Sequence, residues 1–268
     1  MPSTLSDLEL LRRLVAFDSV SARGTREIAD FVSAYLDRPD IRSETVRDDN
    51  DEQVNIIAWR GDLRPDRRGL VLSGHLDVVP ARRDHWNTDP FELIAHGDNL
   101  YGRGTSDMKG FIALAMNLLV EAEDRSELPL MLMFSAEEEV GALGAKVLAE
   151  SWPVDELPPR ATLIGEPTTL DVIAMHKGHL KVRIHVVGAS AHSGTPHFGA
   201  NAIERATVII SALGVLRDAL HAETGPYAEA FGEAPFPALN IGRVHGGTAI
   251  NVVPDACTIE LGVRPLPG

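Results

Sequence analysis

The chain has 268 residues, 44% of them hydrophobic, which suits one large domain or two smaller ones with a sizeable core and excludes an intrinsically disordered chain. Its 25 basic and 39 acidic residues give a net charge of −14, which argues against nucleic acid or an anionic membrane surface as a partner. Cys257 is the only cysteine, so no intrachain disulfide is possible and a reducing compartment is expected.

The first segment, MPSTLSDLELLRRLVAF, lacks the basic start and apolar stretch of a signal peptide. It reads instead as an amphipathic helix over 5–17, opened by the capping box Ser6-x-x-Glu9. A second helix is predicted over 25–37, where Ile28, Phe31, Val32, Tyr35 and Leu36 recur at helical spacing. VNIIAW, GLVLSGH, LPLMLMFSA and RATLIGE are short, nearly continuous apolar runs, the pattern of strands buried on both faces of a mainly parallel sheet. Helices are predicted between them over 108–123 and 142–150, and this alternation indicates an α/β layered domain. The longest apolar helical segment, FIALAMNLLV, is too short to span a bilayer, so a soluble cytoplasmic protein with no membrane partner is expected.

From about residue 179 the pattern changes. LKVRIHVVG alternates apolar and polar residues as a half-exposed antiparallel strand does. A long helix over about 200–222 follows, then the strand candidates PALNIGRVHGG and NVVPDACTIELGVRP, separated by a glycine-rich turn. Cys257 falls in the last of these and reads as a small apolar filler. The order β-α-β-β would become a ferredoxin-like domain with one more helix and strand.

Ligands of an open α/β sheet bind beyond the carboxyl ends of its strands. His75 ends one strand candidate, with Asp77 two residues on; LMLMFSA runs into Glu137, Glu138 and Glu139; TLIGE ends at Glu166; and Asp107, in YGRGTSDMKG, opens the helix predicted from 108. Each has an ordinary structural account alone: a satisfied histidine, an N-cap, a solvated acidic face, a turn before Pro167. Jointly they deliver one imidazole and several carboxylates to one edge of one sheet. That donor set suits zinc, with cobalt or manganese as substitutes, and the number of carboxylates allows a two-metal site. A glutamate left unligated beside such a site can act as the base that takes a proton from water and hands it to a leaving group.

SGHLDVVP, LYGRGTSDMKG, FSAEEEVGALGA, IGEPT and GASAHSGTPHFGANAI resemble the successive motifs of the M20 metallopeptidases, and the likeness extends over essentially the whole chain. GEPTTLDVIAMHKGH and INVVPDACTIELGVRPLPG are most similar to the acetylornithine-deacetylating members, then to succinyl-diaminopimelate desuccinylases and carboxypeptidase-like members. The resemblance implies a layered, mainly parallel-sheet catalytic domain of the zinc-peptidase kind, whose N-terminal part is residues 1–178. An inserted ferredoxin-like α+β lid and dimerisation domain, incomplete here, would occupy 179–268. It implies two zinc ions per complete subunit, a homodimer formed through the lid, and hydrolysis of the amide bond of a small N-acyl amino acid, N-acetyl-L-ornithine foremost, in arginine biosynthesis.

Carried over motif by motif, His75 and Glu166 are the expected terminal ligands of one zinc, Asp107 the bridging ligand and Glu139 a ligand of the second. Asp77 would orient His75. Glu138 would be the general base, with Glu137 standing where the family usually has Asp. His192 would reach into the neighbouring subunit's site and stabilise the oxyanion, and Lys177, Asn251 and Arg264 resemble positions that contact substrate. In the family the second zinc takes a histidine from a segment that returns from the lid. This chain ends inside the lid, and none of His85, His96, His176, His179, His185, His197, His221 and His245 lies in a matching context. A fragment is therefore expected, and a non-catalytic metal-binding or dimerising remnant is the rival expectation.

Overall fold

The computed structural model describes residues 4–122 and 128–268. The chain divides into two compact units, Met1–Leu170 and Asp171–Gly268.

The first unit opens with α1 (Asp7–Val15) and α2 (Arg26–Leu36). Ser6 caps α1 by accepting the Glu9 amide at 3.3 Å, as the capping box requires. Then follow β1 (Arg42–Arg47), β2 (Val54–Arg60), β3 (Leu70–His75), the hairpin β4 (Ile94–His96) and β5 (Asn99–Tyr101), α3 (Gly110–Glu121), β6 (Leu130–Ser135), α4 (Leu143–Glu150) and β7 (Ala161–Ile164). The main sheet has the order β1-β2-β6-β3-β7. β3 pairs in parallel with β6 and β7, whereas β2 is antiparallel to both β1 and β6, so β2 alone runs against the other strands.

Successive residues of the central strands separate onto opposite faces, as the pleat dictates. Ile56, Leu72, Leu132 and Phe134 pack with Leu14, Ile28, Val32, Ile112 and Met116 of α1, α2 and α3. Ile57, Val71 and Met131 pack on the other face with Leu148 of α4. The result is a layered helix–sheet–helix unit, in which each fully buried Leu or Ile side chain contributes about 1.5–3 kcal/mol.

Four details differ from the sequence expectations. β7 is the last strand of the sheet in this chain, with Leu163 and Ile164 49% and 62% exposed where the apolar run predicts burial. β1, at the other end of the strand order, gave no sequence signal because only Val46 of RSETVR is buried. The β4–β5 hairpin was likewise not anticipated. The helix after Asp107 begins at Gly110, not 108, because Asp107 (φ −129°, ψ 92°) and Met108 (φ −139°, ψ 35°) are non-helical. The expected end of that helix, residue 123, lies outside the described residues.

The second unit comprises β8 (Leu180–Val187), α5 (Ala202–His221), β9 (Ala238–Gly246) and β10 (Ala256–Arg264). β10 is central and antiparallel to both neighbours, giving the order β8-β10-β9. Asn201 caps α5 by accepting the Ile203 and Glu204 amides. Ala202 and Ala206 of α5 pack against Val186, Leu239, Cys257, Ile259 and Leu261, and the 2% exposure of Cys257 fits its reading as an apolar filler. Residues 171–179 group with this unit, where the Lys177 ammonium donates to the Ala234 and Phe236 carbonyls and the Gly178 amide to the Pro265 carbonyl. Among the described residues no helix is long and apolar enough to cross a membrane.

Candidate metal centre

β3, β6 and β7 run in one direction, so their carboxyl ends open on one edge of the sheet. His75 is the last residue of β3 and is 1% exposed. Its Nδ1 lies 2.9 Å from the Asp77 carbonyl and 3.5 Å from Asp77 Oδ1. A carbonyl only accepts, so Nδ1 carries the hydrogen and Nε2 is the atom turned to the site. That Nε2 is 2.9 Å from Asp107 Oδ1 and 3.8 Å from Glu166 Oε1.

Asp107 is held by a kinked turn over Thr105–Lys109. The turn starts from Gly104 at φ +84°, a left-handed conformation that favours glycine. It is pinned at its end by Lys109, whose amide donates to the Gly104 carbonyl and whose buried ammonium donates to the Phe17 carbonyl at 2.8 Å. Burial, and then the Arg103 charge, lowers the Lys109 pKa to about 7. Met108 lies against β3, where a Cβ at Gly74 would come within 2.9 Å of its Cε, so a glycine beside His75 lets the turn approach. Asp107 is therefore not the N-cap that its sequence position suggested.

Asp77 is 0% exposed and joins the loops that leave β3 and β6. Its Oδ1 accepts the Glu138 amide at 3.0 Å; its Oδ2 accepts the Glu139 amide at 3.2 Å and the Ser21 hydroxyl at 2.6 Å. The acidic loop turns tightly at Glu137 (φ 54°), and the Gly141 and Ala142 amides both donate to the Glu138 carbonyl. All of Glu137, Glu138 and Glu139 are half-buried, which sets them apart from a solvated acidic face.

Ligand atoms of His75, Asp107 and Glu139 lie within 4.8 Å of one another, and so do those of His75, Glu138 and Glu166. The crowding shows in the protonation equilibria. Burial, then the Asp107 charge, pushes the Glu139 carboxyl up. Burial also pushes Glu166 up, against the attraction of His75 and with the repulsion of Asp107. Burial opposes a charge on His75, but hydrogen bonding and attraction to Asp77, with attraction to Asp107, outweigh it and raise the imidazole to about 9. One imidazole among mutually repelling carboxylate oxygens, with no thiolate, is a donor set that a divalent ion would neutralise, so these residues fit such an ion.

The remaining sequence-selected residues belong to the second unit and fall into two groups. His192 and Asn251 are together: His192 forms a β-bridge with Val252, and the Ser193 amide donates to the Asn251 carbonyl at 3.0 Å. Lys177 and Arg264 are at the other end of the sheet, where the neighbouring Gly178 and Pro265 are bonded. β10, Ala256–Arg264, separates the two groups by roughly 30 Å at about 3.3 Å per residue. The Lys177 ammonium, besides its two carbonyl acceptors, lies 5.4 Å from the ring centroids of Phe231 and Phe236.

Ser21, whose hydroxyl reaches Asp77, was missed by sequence reasoning. FDSVSARG carries no local motif, and only the pairing of this segment with the loop after His75 reveals it.

The chain belongs to peptidase family M20/M25/M40, whose sequence profile matches residues 71–253. It is 36% identical to acetylornithine deacetylase from Klebsiella pneumoniae (strain 342), over 97% of this chain and 68% of that protein. It is 41% identical to acetylornithine deacetylase from Salmonella heidelberg (strain SL476), over 75% of this chain and 51% of that one. The chain thus spans about half to two thirds of the length of these curated relatives. Among solved structures, the M20 family metallo-carboxypeptidase Sso-CP2 from Sulfolobus solfataricus shares the fold with a TM-score of 0.76 at 18% identity, covering 99% of this chain and 72% of that one. The YXEP protein of Bacillus subtilis, a dinuclear metal binding peptidase, has a TM-score of 0.57 at 17% identity, with coverage of 97% and 64%.

Proposed function

We propose that this chain carries the metal centre of an amidohydrolase that cleaves the amide bond of an N-acyl amino acid, N-acetyl-L-ornithine foremost, giving L-ornithine and acetate for arginine biosynthesis. The observation that carries the reading is the convergence of His75, Asp107, Glu139 and Glu166 with Glu138 at one sheet edge, in a chain 36–43% identical to acetylornithine deacetylases. His75 and Glu166 would hold one ion, Glu139 another, with Asp107 between them; zinc is the first choice, cobalt or manganese a substitute. Divalent ions in such a site supply Lewis acidity, acidifying water and polarising the acyl carbonyl. Glu138 takes the proton released as water attacks the acyl carbon and passes it to the departing amine nitrogen. Asp77 keeps the Nδ1 hydrogen of His75 directed inward, so that Nε2 remains a donor to the site.

His192 acts on the substrate oxyanion, with Asn251 beside it, while Lys177 and Arg264 serve the substrate from the other end of the sheet. A small substrate cannot span that separation, which favours an arrangement in which one copy completes the site of another. A homodimer through the second unit also accounts for the outward apolar side chains of α5, Val208 (70% exposed) and Val215 (73%). The single buried cysteine, Cys257, suits a cytoplasmic enzyme. The test is a hydrolysis assay of the purified chain with zinc or cobalt and a panel of N-acetyl-L-ornithine, N-succinyl-LL-diaminopimelate and dipeptides. Preference for N-acetyl-L-ornithine supports the reading, preference for another substrate replaces it within the family, and no turnover on any of them favours a non-catalytic role.

A further inference from the structure

The segment Ser19–Ser21 lies alongside the loop that follows β3. Val20 forms a parallel bridge with Val78, the Val78 amide donates to the Ser19 carbonyl at 3.0 Å, and the Ser21 amide donates to the Val78 carbonyl at 3.3 Å. Both serine hydroxyls point into this contact. Ser19 Oγ donates to the Leu76 carbonyl at 2.8 Å, which fixes backbone; Ser21 Oγ donates to Asp77 Oδ2 at 2.6 Å, which fixes a side chain. Ser21 is itself held, because its carbonyl accepts from Gln53 Nε2 at 2.7 Å, and it is only 6% exposed.

Asp77 gives this contact its reach. One carboxylate stands 3.5 Å from His75 Nδ1 and receives the amides of Glu138 and Glu139, so its orientation sets both the charge beside the imidazole and the course of the acidic loop. The Ser21 hydroxyl makes the shortest of the carboxylate's hydrogen bonds and enters from a third segment of the chain. A buried hydroxyl bonded to an ionised acceptor is a strong and directional restraint. Without it Oδ2 keeps only the Glu139 amide at 3.2 Å, and the orientation of the carboxylate rests on that bond and on the Glu138 amide at Oδ1.

We infer that Ser21 is a positioning residue of the metal centre, acting through Asp77 on His75, Glu138 and Glu139 at once. This rests on the metal-centre reading given above. The experiment uses the whole chain loaded with cobalt(II), measuring metal affinity by competition with a chromophoric chelator and the visible absorption bands of the bound ion. Ser21→Ala weakens binding roughly 10-fold, the lower end of the effect of removing a partner of a ligand, and alters the visible bands. Ser21→Thr, which keeps the hydroxyl, restores both. Ser19→Ala removes a comparable bond from the same segment; it lowers the thermal midpoint as Ser21→Ala does but leaves metal affinity at that of the unmodified chain. Should Ser21→Ala fail to fold, Ser21→Cys, a weak donor of similar shape, gives an affinity between those of alanine and threonine.

Wild-type affinity and bands in Ser21→Ala, or in Ser21→Cys if that is the variant that folds, overturn the inference. So does an equal loss of affinity in Ser19→Ala. Failure of the unmodified chain to bind cobalt overturns the metal-centre reading and this inference with it, whereas binding by the unmodified chain that is indifferent to Ser21 overturns the inference alone.

Discussion

His75 Nε2 lies 2.9 Å from Asp107 Oδ1, and the imidazole is the one residue common to both groups of ligand atoms at the sheet edge. Its other nitrogen is engaged by Asp77, so the ring cannot turn away without breaking a buried contact. His75→Ala is therefore expected to lower metal affinity by about 100-fold or more, beyond the 10–100-fold typical of a partner behind a ligand. Metal analysis after dialysis against a weak chelator measures this. Full retention of metal by the variant would remove His75 from the ligand set.

Glu138 and Glu139 are adjacent, and their amides are bonded to the two oxygens of the same Asp77 carboxylate. Glu138→Gln is expected to cut turnover by roughly 10²–10⁴-fold while leaving bound metal in place, as for a base that is not a ligand. Glu139→Gln is expected to weaken metal binding first. Turnover and metal content of the two variants, measured side by side, decide the register, and exchanged phenotypes would shift it by one residue.

Asp77→Ala removes the acceptor of the Ser21 hydroxyl and of two backbone amides from a fully buried position. Unsatisfied buried donors cost about 1–3 kcal/mol each, so a destabilisation on the order of 3 kcal/mol or more is expected. Urea unfolding of wild type and variant, both in excess chelator, isolates this from any effect of metal. A difference below about 1 kcal/mol would mean that water replaces the carboxylate without loss.

The legible parts of this molecule are those whose signal is local. β2, β3 and β6 were evident because strands buried on both faces read as continuous apolar runs. The outer strands of the sheet in this chain misled in opposite directions: RSETVR is too polar to announce β1, and RATLIGE is apolar enough to look buried where it is exposed. His75, the acidic triplet and Glu166 were evident because each stands at or just beyond the carboxyl end of an apolar run that forms a strand. Ser21 was not, since its contact with Asp77 joins residues 56 apart in the sequence. The same holds for the contacts of Lys177, whose acceptors Ala234 and Phe236 lie 57 and 59 residues on.

Those acceptors lead to a prediction for Lys177. Its ammonium is tied to two carbonyls and stands over two aromatic rings, so it clamps residues 231–236 to the start of β8. Lys177→Met keeps the aliphatic stem and removes the cation, and a loss of about 1–3 kcal/mol of stability is expected. Thermal unfolding measures the clamp, and KM for N-acetyl-L-ornithine measures any contact with substrate. A raised KM with an unchanged melting point would show that the ammonium leaves its carbonyls to bind substrate.

The separation of His192 from Arg264 along β10 bears on how a site is completed. If His192 serves the metal centre of a second copy, two defective chains can rescue each other. A chain carrying Glu138→Gln still offers an intact His192, and a chain carrying His192→Ala still offers an intact metal centre and base. Co-expressed with distinct tags, they form mixed dimers in which one of the two sites has every group. Random pairing then restores about a quarter of wild-type turnover, since half the dimers are mixed and half the sites in each are whole. Each variant alone is expected to be nearly inactive. Recovery of activity in doubly tag-purified dimers confirms service across the interface. Purified mixed dimers as inactive as either parent would show that His192 acts within its own chain, where no pairing of these variants yields a whole site.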